Sequence, residues 1–345
     1  MSNFSKKSEG KKKMGTIDQG AKNAVEVCMG LKPSERVLIV TDRAEVDVGE
    51  ALRRSSEKVT GSANVKLYVL EDIAPRPLKS LPSEIASSVS QASVTFWAAL
   101  SLPGELPVRK SFRELALKYA RHGHMPNVTR QLMEQGMCSD YERVYDLTHK
   151  IYERVRHAKK IVVGNRFGTK IEAEFDPTWR WIPADGRYRE KGRWGNLPEG
   201  ETYTAPKLVN GTLVTNLLGD WFSEKYGNFR EPLSFEINNS RIKVGTIECA
   251  NLSLKRDLLQ YLATDPNSIL ASEFALPTNP ELMAMPTVGN LLQDEKARVH
   301  IAFGDPYQDE TGAPWECPTH VDMLLEGCDL SVDGVPIMKN GGYIF

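Results

Sequence analysis

The chain has 345 residues, of which 41% are hydrophobic and 26% charged, with a formal net charge of −1. That is enough apolar content for the cores of a soluble protein of two domains. The near-neutral balance gives no electrostatic ground for a nucleic-acid or anionic-membrane partner. No apolar run reaches the length of a bilayer span.

The five cysteines (Cys28, Cys138, Cys249, Cys317 and Cys328) are scattered and form no Cys-x-x-Cys pair. This usage suits a reducing cytoplasm rather than a disulfide framework.

Five lysines fall within the first thirteen residues, but no apolar stretch follows to make a secretory leader. Residues 1–14 read as a disordered basic tail. Strand and helix signals then alternate. "RVLIVTD" (Arg36–Asp42), "NVKLYVL" (Asn64–Leu70) and "SVTFWAAL" (Ser93–Leu100) are β-rich apolar runs. "DVGEALRRSSEKV", "PSEIASSVSQ" and "SFRELALKYAR" between and after them carry helical patterns. Such alternation predicts βαβ units and a mainly parallel sheet over residues 15–160. "RHGHMP", with His122 and His124, has no carboxylate nearby and reads as helix-end and loop chemistry.

The clearest helix runs from Asp140 to His157. Tyr141, Val144, Tyr145, Thr148, Ile151, Tyr152 and Val155 mark its buried stripe. After "KKIVVGN" Gly, Pro and Trp become frequent, and short alternating runs such as "TKIEAEF", "GTLVTNLL", "LSFEI" and "RIKVGTIE" take over. Only "NLSLKRDLLQYLA" reads as helix there. Residues 161–345 are therefore expected to form a β-rich domain with long loops, beginning near residues 158–168.

The usual catalytic fingerprints are missing. The first half has no Gly-x-Gly-x-x-Gly after a strand, and "GNRFGTK" is too short between its glycines for a phosphate loop. Neither a His-Glu-x-x-His nor a Gly-x-Ser-x-Gly is present. The α/β half is thus expected to bind no nucleotide.

What stands out is a set of acids and imidazoles in the second half. "NLPEGETYTAP" carries Glu199 and Glu201, and "ASEFALP" places Glu273 in an apolar strand, where an unpaired charge is costly. "DEKARVHIAFGDPY" carries Asp294, Glu295, His300 and Tyr307, and "CPTHVDM" carries His320 and Asp322. In a strand, His320 and Asp322 point to one face and reach one ion. Mixed imidazole and carboxylate ligands suit zinc, cobalt, manganese or ferrous iron. Three acids and two histidines exceed one tetrahedral site and suit two adjacent ions. The bland readings are a solvated Glu201, a charged turn at Asp294–Glu295 and a small buried Cys317.

Together these residues resemble the M29 family of metallo-aminopeptidases, over most of the chain and most strongly in its second half. The match covers the Asn-Leu-Pro-x-Gly-Glu-x-x-Thr-x-Pro loop with Glu201 and the Ala-x-Glu-like strand with Glu273. It continues through Asp294, Glu295, His300, Ala302 and Gly304 to Tyr307, and ends at the His-x-Asp of His320 and Asp322. The "GTKIEAEF" segment lacks an acidic Gly-Thr-Asp step common at that place in the family.

The resemblance implies an α/β domain plus a β-rich metal domain, assembled as a homodimer around an enclosed chamber. It implies two divalent ions (Zn, Co or Mn) held by Glu201, Glu273, His300, His320 and Asp322, acting on a small peptide substrate. Tyr307 would hold a metal or donate to the oxyanion, and Glu295 and Glu273 are the candidate bases. The competing reading is a ring-cleaving dioxygenase of the dihydroxypyridine type, with one Fe(II) on His300, His320 and Asp322. Retention of both Glu201 and Glu273 argues against it. A third reading is a member of the family that binds metal without catalysis.

Overall fold

The protein is described from a computed structural model covering residues 15–102 and 104–345; the expected basic tail lies outside them. Its first sheet is parallel, built from β1 (Val37–Thr41), β2 (Val65–Val69), β3 (Val94–Ala98) and β4 (Arg121–His124). A fifth strand, β5 (Trp194–Asn196), arrives from the second half of the chain and pairs parallel to β4. The strand order is β2-β1-β3-β4-β5.

β1 and β3 are buried at every position, and apolar but for Thr41 and Thr95, because helices cover both faces. Leu38 and Val40 pack into one layer, Val37 and Ile39 into the other. Flanking helices include α1 (Val46–Thr60) and α2 (Leu106–Tyr119).

In such sheets ligands bind where strand order reverses, here beside β1 at the strands' carboxyl ends. That crevice is filled by a buried ion triad. Arg76 reaches Asp42 and Glu105, each at 2.5 Å, and Leu100 N donates to Asp42 at 2.7 Å.

Helix α3 (Tyr141–Val155) begins at Asp140, whose side chain accepts from the amides of Glu142 and Arg143. Tyr141, Val144, Thr148, Ile151 and Val155 form its buried stripe. Tyr145 and Tyr152 stay half-buried at its edges.

Two antiparallel sheets follow. The larger has eight strands, with Leu208–Thr215, Lys170–Glu174 and Lys160–Gly164 in its middle. The smaller contains β6 (Glu201–Thr204), β7 (Ala271–Pro277), β8 (Val299–Gly304) and β9 (His320–Leu325), with Ile182–Ala184 at one edge.

Phe274, Ile301, Phe303, Val321 and Met323 on the smaller sheet pack into a core shared with Phe235, Leu213 and Ile171 of the larger. Burying each large apolar side chain stabilises by roughly 1.5–3 kcal/mol. A one-residue slip of any strand would turn those groups outward. The core therefore fixes the register, and the register decides which side chains share the other face.

"RHGH" is strand β4 rather than the helix end and loop read from sequence. It has only four residues with almost no apolar content, so its pairing to β3 and β5 is what makes it a strand.

Candidate metal centre

The register assembles the site. Glu273 pairs with Ala302, and Ala302 with Asp322, so the two carboxylates lie in one row across three strands. His300 stands two residues before Ala302 on β8, and His320 two before Asp322 on β9. Alternation puts all four on the same face. On β6, Glu201 pairs with Pro277 of β7, four residues after Glu273, and joins that face too. The centre of the patch is held by alanines, Ala302 and Ala275, which leaves space between the ligand side chains.

Glu201, Glu273, His300 and Asp322 are buried and His320 nearly so. Their ligand atoms fall into two groups sharing one member: Glu201, Glu273 and His300, and Glu273, His320 and Asp322. Glu273 divides its oxygens between them. Oε1 lies 3.4 Å from His300 Nε2, and Oε2 lies 3.5 Å from His320 Nε2. Glu201 Oε2 is 3.5 Å from His300 Nε2, and Asp322 Oδ1 is 3.4 Å from His320 Nε2.

The imidazoles are aimed by the backbone. His300 Nδ1 donates to the Arg298 carbonyl at 3.2 Å, and His320 Nδ1 to the Asp305 carbonyl at 2.8 Å. A carbonyl only accepts, so both rings carry the proton on Nδ1 and present Nε2 to the cluster. This is the outer-shell arrangement that metal-binding histidines use. Tyr261, from the helix Leu252–Leu262, accepts from His320 N at 3.0 Å and reaches Asp220 Oδ2 at 2.7 Å. Gly219 lies against Asp322: a Cβ there would come within 2.5 Å of Asp322 Oδ2.

Burial alone would depress both histidines. The carboxylates around them prevail and hold each imidazole up at about 10. Burial would likewise raise Asp322, but the two histidines bring it down to about 2. Glu273 is raised, mainly by burial. Glu201 Oε2 is buried with no hydrogen-bond partner. An unsatisfied buried carboxylate oxygen, a carboxylate split between two imidazoles and a mixed N/O donor set fit divalent cations well.

The structure brings all five predicted ligands together and sets Glu295 and Tyr307 beside them. Glu295 is buried, and burial pushes its carboxyl up to about 8 against the pull of Lys296. Tyr307 is more open, at 36% exposure, with its ring 4.7 Å from that of His320. It holds a left-handed backbone at φ 51°. Glu201 is not the solvated loop acid of the bland reading, and Asp294 is not a free charged turn. Asp294 is buried and accepts from the amides of Val288, Gly289 and Asn290. Cys317 is buried, with its thiol 3.2 Å from Thr319 Oγ1.

Sequence reasoning missed Lys296. Its side chain is fully buried, with Nζ 2.5 Å from Glu201, 2.8 Å from Glu295 and 3.0 Å from Glu199. Glu199 also accepts from Tyr188 OH at 2.8 Å, and burial raises it to about 7. "DEKARVH" reads as a hydrophilic turn, and nothing in its spacing marks the lysine as internal.

His122 meets His124 edge-on and His124 meets Trp194 edge-on, and Asn196, beside His124 in register, donates to Glu295 at 3.4 Å. Burial holds His122 down at about 3 and His124 well below its usual value.

No protein-family model matches the chain, and no curated protein matches it in sequence. Its fold is similar to that of AmpT from Thermus thermophilus, at 17% identity and a TM-score of 0.72, covering 95% of this chain and 99% of that one. It is similar also to 2,5-dihydroxypyridine dioxygenase from Pseudomonas putida KT2440, at 16% identity and a TM-score of 0.70, covering 95% and 96%. At these identities the likeness is one of fold alone.

Proposed function

We propose that the chain is a metal-dependent aminopeptidase that hydrolyses N-terminal residues of peptides at a pair of divalent ions (Zn, Co or Mn). The observation that carries this reading is Glu273, whose two oxygens face two different histidines at 3.4 and 3.5 Å. A carboxylate so placed would offer one oxygen to each of two ions. Glu201 and His300 would complete one seat, and His320 and Asp322 the other. The likeness to AmpT, a member of the aminopeptidase family named above, is consistent with it.

Bound ions would supply a water of lowered pKa and a polarised scissile carbonyl. The chain's own groups do the rest. The carboxylates give the seats their negative charge and favour the cationic α-amino terminus of a peptide. Glu295, whose carboxyl burial raises to about 8 in the ion-free protein, is the group placed to exchange a proton with the reacting water or leaving amine. Tyr307, raised by enclosure of its phenol end, although the residue is partly open, and by neighbouring carboxylates, stays a phenol and would serve as a donor to a developing oxyanion. We place the active chain in the cytoplasm as a homodimer, on its cysteine usage and its resemblance respectively.

The dioxygenase likeness supplies the contrasting outcome. Purified protein, stripped of metal, is reloaded with Zn, Co, Mn or Fe(II) and assayed in parallel. Release of amino acids from aminoacyl amides or short peptides supports the proposal. Oxygen uptake with a hydroxylated pyridine under Fe(II), without peptide cleavage, replaces it with a mononuclear iron site on His300, His320 and Asp322.

A further inference from the structure

We propose that Lys296 makes the two ion seats unequal, so that the Glu273–His320–Asp322 side retains its ion while the Glu201–His300 side exchanges its own. The inference rests on the two-ion reading above.

The asymmetry is in the geometry. Every ion-pair contact of the Lys296 ammonium is with Glu201, Glu295 and Glu199. Among the described residues it makes none with Glu273, His320 or Asp322. The 2.5 Å contact occupies Glu201 Oε1, which leaves Oε2 as the oxygen free to ligate. Glu201 is thus restricted to a single oxygen and shares its charge with an ammonium. In the opposite seat Asp322 Oδ1 lies nearer His320 Nε2, at 3.4 Å, than His300 Nε2, at 3.9 Å, no ammonium touches it, and His320 is fixed by the Asp305 carbonyl and by Tyr261.

Repulsion adds to the difference. A fixed positive charge several ångströms from a divalent ion weakens its binding by roughly tenfold even with water's screening, and by more in a buried site. Lys296 cannot swing away, since its side chain is fully buried among three acids. An arrangement of this kind keeps one ion as a permanent part of the fold and ties occupancy of the second to the free metal around the protein.

The test uses the full chain, stripped with chelator and titrated with Co(II) by calorimetry, with elemental analysis before and after desalting. The expected result is two ions at saturation, dissociation constants at least tenfold apart, and one ion per chain after desalting. Lys296→Met should tighten the weaker constant at least tenfold and retain two ions. Two equally tight ions in the unaltered protein overturn the inference and leave the hydrolase reading standing. So does a folded Lys296→Met protein with the spacing of its constants unchanged. Should that variant fail to fold, Glu201→Gln decides, because it should lose only the weaker ion; loss of the tighter one overturns the proposal. Binding of no ion at all removes the metal reading itself.

Discussion

Ion uptake should expel protons, and the number per ion reports how the histidines are shared. Without an ion, His300 and His320 are both held up at about 10, because the carboxylates beside them, three at His300 and two at His320, outweigh the effect of burial. An imidazole must be neutral at Nε2 to ligate. At pH 7 each lies about three units below its pKa, so each proton costs about 4 kcal/mol to remove. Each proposed seat holds one histidine. From the histidines alone, each ion should therefore release about one proton and bind roughly tenfold more tightly per pH unit between about 7 and 9, with any proton held by Glu295 or Glu199 adding to the count. A single ion seated on both histidines would release two and gain roughly a hundredfold. Calorimetry in two buffers of different ionisation enthalpy counts the protons directly. Binding that releases none, or that is indifferent to pH between 6.5 and 8.5, would refute the electrostatic argument. The same shifts set the stability of the ion-free protein. The raised histidines stabilise it fully below about pH 6.5, and that contribution is lost as pH rises through about 10. The depressed Asp322 stabilises it above about pH 4 and is lost as pH falls through about 2.

Glu273→Gln should abolish retention of both ions while the fold persists, read by elemental analysis alongside circular dichroism. Gly219→Ala would press a Cβ to 2.5 Å from Asp322 Oδ2; we expect a loss of about 1–3 kcal/mol in urea unfolding and weaker metal binding. Arg76→Met would strand Asp42 and Glu105 without their cation, and should cost about 3–5 kcal/mol by denaturant melt with the metal site unaffected. Calorimetry with NAD, ATP and FMN should show no binding, since the switch-point crevice is filled by that triad.

Two of the candidate ligands are legible because each breaks a local rule. Glu273 sits in "ASEFALP", where every position is buried, and His300 opens a run of buried strand residues. A polar group that violates an apolar pattern announces a partner, and spacing within a strand fixes the shared face. Lys296 broke no such rule. It sits between acids in a segment polar enough to pass for a surface turn, and its burial follows from where Glu199 and Glu201 arrive, about a hundred residues earlier. His122 and His124 were misplaced for a related reason: β4 exists through its pairing with β3 and β5, and β5 comes some seventy residues later. Non-local pairing of this kind leaves no periodic trace in either partner.

Charge balance explains why the cluster is tolerable without an ion and receptive to one. Five buried carboxylates (Glu199, Glu201, Glu273, Glu295 and Asp322) face Lys296 and two imidazoles. So many acids would not all stay ionised in a buried site. The raised Glu295 and Glu199, at about 8 and 7, take protons where no metal is present, and both histidines are charged for the same reason. Protons therefore do, in the ion-free state, the neutralising that metal would do. An arriving cation displaces protons instead of entering a naked acidic pit, and its net affinity is the difference between two large opposing terms. That places control of occupancy in the outer groups that set the proton affinities. Glu199 is held by Tyr188, and Glu295 by Asn196 at the end of the parallel sheet. The α/β half, through β4 and β5, thereby contributes to the tuning of the site.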